Sequence, residues 1–351
     1  MRRVTLIPGD GIGPEVTHAA REVVAASGAA VQFEEVAAGR HAEQRYGTPL
    51  PRAVFDSLER NRVALKGPTW TPFGGDYRIT VERTDAAGAT ARRTYPSIAI
   101  ALRKELELFV NVRPVKNYPG IAARCQNVDL VIFRENSEDL YLGRERMVEQ
   151  GVAQAVKVIT ASATERVTRF ALDYMERNGR RRLTIGHKAN VLKLTDGLFL
   201  RIAQEIASQR AGIAVDQRVV DALCMELVMR PEAFDCLLLP NLYGDIVSDL
   251  AAGLVGGLGI APGANIGPQH AVFEAVHGTA PDIAGKDLAN PMAMILSAAM
   301  MLRHLDEARA AERIERALVQ VLEDGRVTTP DLGGGAGTRA MTRAIIEKLE
   351  E

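Results

Sequence analysis

The chain has 351 residues, of which 43 are basic and 44 acidic, so its formal net charge is −1. With 47% hydrophobic and 25% charged residues, the composition is that of a soluble globular protein and gives no electrostatic reason to expect a nucleic-acid partner. The apolar stretch from Val4 to Ile7 is too short for a secretory signal peptide, and no apolar run reaches the roughly 18 residues that cross a bilayer. We therefore expect no membrane partner.

The cysteines are odd in number and lack metal-ligand spacing, which indicates reduced thiols and predicts a cytoplasmic location. They are Cys125, Cys224 and Cys236. The length of the chain exceeds what one hydrophobic core usually serves, which favours two domains. No flexible tether separates them, so we expect the chain to double back between the two.

Short apolar runs alternate with stretches of helical period along the chain, which predicts an α/β fold. Strands are expected at 4–8, 63–65, 128–133, 183–185 and 237–239. Helices are expected from Pro14 onwards and at 294–303 and 308–323. Residues 78–84 and 90–95, separated by a turn at 85–88, predict an exposed β-hairpin.

A glycine-rich turn, 9–13, lies between the first strand and the first helix. Such a turn could hold a pyrophosphate, but the spacing is not G-x-G-x-x-G, and Pro14 and Glu15 occupy positions where a phosphate needs free N–H groups. The pattern therefore favours a tight turn near the active cleft over a dinucleotide site.

Two aspartates, Asp245 and Asp249, follow a predicted strand end and loop. If a helix begins near Asp245, the two carboxylates lie on one face and repel each other. A hard divalent cation such as Mg²⁺ or Mn²⁺ would offset that repulsion. A helix-dipole role for Asp245 and a solvated Asp249 explain the spacing equally well.

Three arginines border apolar sequence, where a charge is costly unless it is paired. They are Arg103, Arg113 and Arg134. Three guanidiniums could hold a di- or tricarboxylate bidentately. Internal salt bridges to nearby acids are the alternative, and the arginines by themselves favour it.

Further candidate residues lie in motifs near strand ends. Tyr141 and Lys188 could act as general acid and base if burial and a cation retune their pKa values. In the loop 277–285, an exposed acid at Asp282 could accept hydrogen bonds from a ribose 2′-hydroxyl and repel a 2′-phosphate, which would favour NAD over NADP. A capped turn before a helix is the alternative.

Five long motifs resemble those of the isocitrate, isopropylmalate and homoisocitrate dehydrogenases, the β-decarboxylating dehydrogenases. They occupy 134–141, 187–190, 241–249, 256–267 and 277–285, and the resemblance runs essentially from end to end. It implies an α/β fold that is not a Rossmann fold. A large domain would comprise 1–108 and 255–351, a small dimerisation domain 109–254, and the hairpin 76–95 would be inserted in the large domain. The resemblance also implies a homodimer with shared active sites.

The resemblance carries over to the candidate residues one by one. It implies that Arg103, Arg113 and Arg134 hold the malate moiety of the substrate, that Tyr141 protonates the enol carbon, and that Lys188, from the partner subunit, assists removal of the hydroxyl proton. Asp245 and Asp249 match metal ligands, and Asp221 matches a third, also from the partner. The implied NAD-binding residues are His277, Gly278, Thr279, Ala280, Asp282, Ile283 and Asn290.

The substrate expected from the resemblance is isocitrate, oxidised and decarboxylated to 2-oxoglutarate with NAD and Mg²⁺ or Mn²⁺. Ser97 matches the serine of isocitrate enzymes, whereas Pro96 is not the glutamate of isopropylmalate enzymes and Ile100 is not the arginine of homoisocitrate enzymes. Ala99, where isocitrate enzymes usually carry asparagine, Trp70 and the inserted hairpin depart from the isocitrate pattern. They leave homoisocitrate, 3-isopropylmalate or a phosphonate-bearing malate open, the last with Arg92 and Arg93 as extra positive charge. A hairpin that only decorates the cleft or closes it as a lid is an equal alternative.

A function of another class is a non-catalytic regulatory subunit of a hetero-oligomeric dehydrogenase. The presence of Tyr141, Lys188 and all three aspartates disfavours it.

Overall fold

The computed structural model describes residues 1–72, 74–75, 77–84 and 90–351. The strands are β1 (Arg2–Ile7), β2 (Val31–Glu35), β3 (Val63–Lys66), β4 (Ile79–Thr84), β5 (Thr90–Tyr95), β6 (Val110–Lys116), β7 (Asp129–Glu135), β8 (Glu145–Glu149), β9 (Val152–Ala155), β10 (Arg182–His187), β11 (Ala214–Val219), β12 (Cys236–Leu239), β13 (Pro262–Ile266) and β14 (Ala271–Ala275).

The helices alternate with these strands for most of the chain. They are α1 (Gly13–Ala26), α2 (Arg40–Tyr46), α3 (Arg52–Asn61), α4 (Ile98–Glu105), α5 (Ala161–Arg177), α6 (Thr195–Ala207), α7 (Val220–Met229), α8 (Asn241–Val255), α9 (Met292–His304), α10 (Ala308–Asp324) and α11 (Thr338–Glu350). The strands and helices predicted from the sequence are therefore confirmed, with boundaries that shift by one or two residues.

Ten strands form one mixed sheet in the order β11-β10-β12-β7-β6-β13-β14-β3-β1-β2. The pairs at both ends of the sheet are parallel, whereas β7–β6, β6–β13 and β13–β14 in the middle are antiparallel. The antiparallel centre distinguishes the sheet from the parallel, doubly wound Rossmann sheet. The α/β class and the expectation of a fold other than Rossmann are confirmed.

The order of the strands in the sheet matches the division of the chain into the two segments that are expected to form two domains. Strands from 109–254 occupy one half of the sheet, and strands from 1–108 and 255–351 occupy the other. The halves join where β6 pairs with β13, with Asn111 opposite Asn265. The division into two domains remains a prediction, but both halves meet at one pair of strands.

The glycine-rich turn after β1 is a tight turn. Gly9 has φ +76°, and a Cβ there would lie 2.1 Å from the carbonyl oxygen of Pro68. The amides of Asp10 and Ile12 already donate to the carbonyls of Pro68 (2.7 Å) and Thr279 (2.9 Å). Because these N–H groups are used internally, the turn holds two loops together and offers no phosphate cradle.

The predicted hairpin is confirmed in its pairing, since β4 and β5 pair antiparallel from Ile79 opposite Tyr95 to Thr84 opposite Thr90. Its predicted exposure holds for β5 but is wrong for β4, because Ile79 and Val81 are buried in the core. The turn predicted at 85–88 lies outside the described residues. A second hairpin, β8–β9, has both strands exposed. In the part of the chain that is described, no helix has the length and apolar character needed to span a membrane.

Candidate active site

A cavity of about 210 Å³ lies at the junction of the two halves of the sheet. The end of β3, α4, β6, α8 and β14 all contribute to it, so its lining comes from distant parts of the sequence. The lining residues are Lys66, Pro68, Thr69, Ala99, Arg103, Asn111, Arg113, Asp245, Gly263, Glu274, Ala275, Val276, His277 and Gly278.

The three arginines singled out in the sequence come together here, since Arg103 and Arg113 line the cavity and Arg134 shares Asp245 with Arg113. Arg113 and Arg134 are buried, with 7% and 1% of their surface exposed. Nε of Arg103 and Nη2 of Arg134 are buried and have no hydrogen-bond partner within the described part of the chain. Burial and the neighbouring Arg134 lower the pKa of Arg103 to about 10. Positive charge is therefore in excess here, and two guanidinium groups still have N–H donors to offer an anion.

Two carboxylates on α8 face these arginines. Asp245 accepts a hydrogen bond from Arg134 and lies 3.2 Å from Nη2 of Arg113. Asp249 lies 3.3 Å from Nη1 of Arg113. Burial raises the pKa of Asp245, but the charges of Arg134 and Arg113 outweigh it and leave this pKa below its usual range. The two aspartates thus lie on one helix face, as predicted. The alternative in which the arginines form internal salt bridges is confirmed for Arg113 and Arg134.

Glu274 and Lys66 complete the charge pattern, and the sequence reasoning missed both. Nζ of Lys66 donates to Glu274 at 2.6 Å, and Arg103 lies 3.9 Å from the same carboxylate. Burial alone would raise the pKa of Glu274, but Lys66 and Arg103 lower it to about 2. The signal that could have found them is a single charge inside the otherwise apolar strands β3 and β14.

A chain of amides joins Arg113 to Glu274 across the sheet. Nε of Arg113 donates to Asn111 (2.6 Å), Asn111 donates to Asn265 (2.9 Å), and Asn265 donates to Glu274 (2.8 Å). Asn111 and Asn265 are opposite each other where β6 pairs with β13. The network therefore fixes the arginine of one half of the sheet relative to the carboxylate of the other.

Tyr141 lies beside the same aspartate, because its hydroxyl donates to Asp245. The guanidinium of Arg134 lies 4.8 Å from the centre of its ring. Burial is the main cause that raises the pKa of Tyr141, which keeps the phenol protonated at neutral pH. The structure thus brings Tyr141, Asp245 and Arg134 together. The role of Tyr141 as an acid near a metal stays a prediction.

Lys188 and Asp221 do not line this cavity. They form a pair with each other, with Nζ of Lys188 2.6 Å from Asp221, and the side chain of Asp221 is 67% exposed. In the described part of the chain, no group of three or more His, Cys, Asp or Glu side chains is arranged to hold a metal ion. Asp245 and Asp249 fit a hard cation as two oxygen donors of one helix, but Asp221 of the same chain does not join them.

The segment around Ser97 and Ala99, which is expected to bind the substituent that distinguishes the substrates of this family, borders the cavity. Ser97 is the N-cap of α4, and its hydroxyl oxygen accepts from the amide of Ile100 at 3.2 Å. Ala99 lines the cavity, whereas the backbone of Trp70 is held by Asp10 (2.8 Å). Arg92 and Arg93 lie elsewhere, since they are 3.4 Å from Glu82 and Glu105 respectively.

The predicted cofactor loop begins at the cavity. His277 and Gly278 line it, and Nε2 of His277 is buried without a hydrogen-bond partner in the described part of the chain. Asp282 is exposed, and Ala280 has a positive φ of 37°. Asn290 is buried, with its amide donating to Asp331 (2.9 Å) and its oxygen accepting from the amide of Met292 (2.9 Å). The remaining loop residues, Thr279 and Ile283, are half-buried.

We expect Glu274→Gln to destabilise the protein by roughly 3 kcal/mol at pH 7, because it leaves Lys66 buried without a counter-charge. The pKa of Glu274 is lowered in the folded state, so its contribution is present above about pH 4.5 and lost as the pH falls towards 2. Denaturant unfolding between pH 7 and pH 3 measures both effects. The difference between wild type and variant should shrink with falling pH. A difference independent of pH would contradict the pairing.

The family model described as isocitrate/isopropylmalate dehydrogenase matches residues 3–349. A Drosophila melanogaster protein, named as the probable alpha chain of mitochondrial NAD isocitrate dehydrogenase, is 43% identical, covering 99% of this chain and 88% of the relative. A Dictyostelium discoideum protein, named as a regulatory subunit of the mitochondrial NAD enzyme, is 42% identical, covering 100% and 93%. The crystal structure of isocitrate dehydrogenase from Methylococcus capsulatus has a TM-score of 0.92 and 47% identity and covers 100% of both chains. The chain belongs to the isocitrate/isopropylmalate dehydrogenase family.

Proposed function

We propose that the protein is an NAD-linked, metal-dependent dehydrogenase that oxidises isocitrate and decarboxylates it to 2-oxoglutarate. The observation that carries the proposal is the cavity with three buried arginines, two of them with unpaired N–H groups in the described part of the chain, beside Asp245 and Asp249. Relatives and a structural neighbour named isocitrate dehydrogenase support the reaction.

The arginines suit a substrate with several carboxylates. The formal charges of Arg103, Arg113, Arg134 and Lys66 exceed those of Asp245, Asp249 and Glu274 by one, and the site is largely buried. A polycarboxylate would satisfy the free guanidinium N–H groups bidentately and reduce the repulsion among the arginines. The same contacts would orient the carbinol carbon towards the nicotinamide side of the cavity.

The carboxylates of Asp245 and Asp249 would hold Mg²⁺ or Mn²⁺, and Asp221 of a second subunit would add a third. When bound, the cation supplies Lewis acidity that stabilises negative charge on the substrate oxygens during loss of CO₂. The oxygen-only donor set is the one that these hard cations prefer.

Two side chains would move protons. Lys188, supplied by the second subunit, would assist removal of the proton from the substrate hydroxyl as hydride leaves the carbinol carbon. Tyr141 stays protonated in its half-buried position and would deliver its phenolic proton to the enol carbon after CO₂ has left.

NAD would bind along the loop that starts at His277. The backbone and side chains of 277–283 would contact the adenosine, with Asn290 behind them. The exposed carboxylate of Asp282 is suited to accept from the ribose hydroxyls and would repel a 2′-phosphate. NAD, rather than NADP, is therefore the proposed hydride acceptor.

This chain differs from the isocitrate pattern at positions expected to contact the third substituent of the malate moiety, beyond its two carboxylates and hydroxyl. Ala99 leaves a small, apolar position in the cavity lining, so homoisocitrate or 3-isopropylmalate is the second candidate class. Arg92 and Arg93 pair with hairpin and helix acids outside the cavity and do not support a phosphonate-bearing substrate.

A homodimer is the proposed assembly. Large apolar side chains are exposed around Lys188 and Asp221, and a second subunit would cover them. These side chains are Val191 (63%), Leu194 (87%), Met225 (53%), Met229 (74%) and Ile246 (55%). The name of the Dictyostelium relative keeps a regulatory role open as the alternative, and Tyr141 beside Asp245 disfavours it. The cytoplasmic location remains a prediction.

The first experiment measures NADH formation by the purified chain with isocitrate, homoisocitrate and 3-isopropylmalate, with Mg²⁺ and after chelation. We expect activity with isocitrate only when the cation is present. Tyr141→Phe should lower kcat by about 10²- to 10⁴-fold, because it removes the proton donor but keeps the ring. A chain that forms no NADH with any substrate would contradict the proposed function and favour a regulatory role.

The same assay tests the metal ligands. Asp249→Asn should raise the apparent dissociation constant for Mg²⁺ at least about tenfold, because ligand charge sets affinity for this ion. Asp56→Asn, which changes an exposed carboxylate paired with Arg52 on α3, is the matched control. An Mg²⁺ dependence unchanged in Asp249→Asn would exclude this residue as a ligand.

Met225→Glu tests the dimer. Met225 lies one turn after Asp221 on α7, so a charge there should disrupt the packing of a second subunit. Light scattering should then report the monomer mass of 38.0 kDa instead of twice that mass, and activity should fall with dissociation. Tyr46→Glu, an exposed site on α2, should leave the mass unchanged. A Met225→Glu variant that keeps the dimer mass would place the interface elsewhere.

A further inference from the structure

We propose that Lys157 is a positioning residue that ties the Tyr141 segment to the Lys188 segment of the same subunit. The proposal rests on the proposed homodimer, in which Tyr141 and Lys188 of one chain serve two different active sites. Lys157 does not line the cavity, so it would act through the residues that it holds. A single buried ion cluster would then set the geometry of catalytic groups in both active sites.

The cluster consists of Lys157, Asp139 and Asp196. Nζ of Lys157 lies 2.6 Å from Asp196 and 3.8 Å from Asp139. Both aspartate side chains are fully buried, and the lysine side chain is 12% exposed. The ammonium also lies 4.2 Å from the centre of the Tyr243 ring on α8. Ion pairs that are this buried are far less screened than surface pairs, so their geometry is held tightly.

One arm of the cluster leads to Tyr141. The two carboxylate oxygens of Asp139 accept from the amides of Leu140 (2.9 Å) and Leu242 (2.9 Å). Leu242 is in the first turn of α8, the helix that carries Asp245, and Tyr141 follows Leu140 directly. Asp139 also has φ +73°, a strained conformation that its contacts must maintain. Asp139 therefore fixes the Tyr141 segment against α8.

The other arm leads to Lys188. Oδ2 of Asp196 accepts from the backbone amide of Lys188 at 2.7 Å, while Oδ1 contacts Lys157. Asp196 lies in the first turn of α6, after the exposed loop 188–194. Its carboxylate is thus the link between that loop and the buried interior. The position of the Lys188 backbone depends on the position of this carboxylate.

Charge makes the two arms depend on each other. Two buried carboxylates share one ammonium, and backbone amides and helix N-termini offset the remaining negative charge. Without Lys157, Asp139 and Asp196 would repel each other across a buried space. The Tyr141 and Lys188 segments, which these carboxylates hold, would then both move.

The first test compares Lys157→Met with Lys348→Met, which removes a lysine paired with Glu351 at the end of the chain. Lys157→Met should lower kcat about 10- to 100-fold, the effect of misplacing catalytic groups by about 1 Å. The KM for isocitrate should change little, because the arginines lie elsewhere. An equal loss in kcat and in isocitrate affinity, or no loss at all, would overturn the proposal.

A second variant covers the case in which Lys157→Met does not fold. Lys157→Met combined with Asp196→Asn keeps the net charge of the cluster and an amide oxygen facing Lys188, but it removes the ionic tie. We expect this double variant to fold and still to lose kcat. A folded double variant with wild-type kcat would overturn the proposal.

Hybrid dimers test the link between the two sites. A dimer of one Tyr141→Phe chain and one Lys188→Met chain keeps one complete site, made of Tyr141 from the second chain and Lys188 from the first. Lys157→Met should lower the activity of that site when placed in either chain. An effect from only one chain would overturn the link between the arms. If the hybrid dimer is inactive with Lys157 unchanged while the wild-type dimer is active, the active sites are not shared between subunits. That result would contradict the proposed shared sites, whereas the kcat measurements on Lys157→Met test the positioning role separately.

Discussion

The burial of three like-charged guanidiniums around one cavity is the constraint on which the site depends. Arg103, Arg113 and Arg134 lie close enough to repel each other, and burial together with the charge of Arg134 lowers the pKa of Arg103. Asp245, Asp249 and Glu274 offset the charge only in part, and free N–H groups remain in the described part of the chain. An anion at this position would accept charge-assisted hydrogen bonds from those N–H groups.

The fold places these charges by joining two halves of a sheet. The β6–β13 pair brings Asn111 opposite Asn265, and their amides connect Arg113 to Glu274. The proposed cofactor loop, which begins at His277, follows a strand of one half of the sheet, and the helix with the proposed metal ligands follows a strand of the other half. A rigid, hydrogen-bonded seam keeps the two groups of residues in register. Precise positioning of this kind is what catalysis of hydride and proton transfer requires.

Much of the fold could be predicted because hydrophobic period and turn residues are local signals. The strands around Leu65 and Leu238, the helix after Pro14 and the tight turn at Gly9 are of this kind. The sheet order could not be predicted, because it depends on pairings between distant strands such as β6 and β13.

The site was predictable where motifs are long, as for Arg134, Tyr141 and Asp245. It was not predictable for Lys66 and Glu274, which are single charges in short apolar strands and have meaning only as a pair 2.6 Å apart. The cluster of Lys157, Asp139 and Asp196 could not be predicted as a unit, because only Asp139 lies in one of the motifs and the three residues belong to separate segments. Asp221 and Lys188 pair with each other away from the cavity, so their proposed roles depend on a second subunit.

In the proposed function, the arginines and the α8 aspartates form one site that a polycarboxylate and a divalent cation complete together. Isothermal titration of isocitrate into the protein, with and without Mg²⁺ and without NAD, tests it most directly. The account predicts that Mg²⁺ increases the affinity for isocitrate at least about fivefold, and that isocitrate increases the affinity for Mg²⁺ by the same factor. An isocitrate affinity that is independent of Mg²⁺ would contradict it.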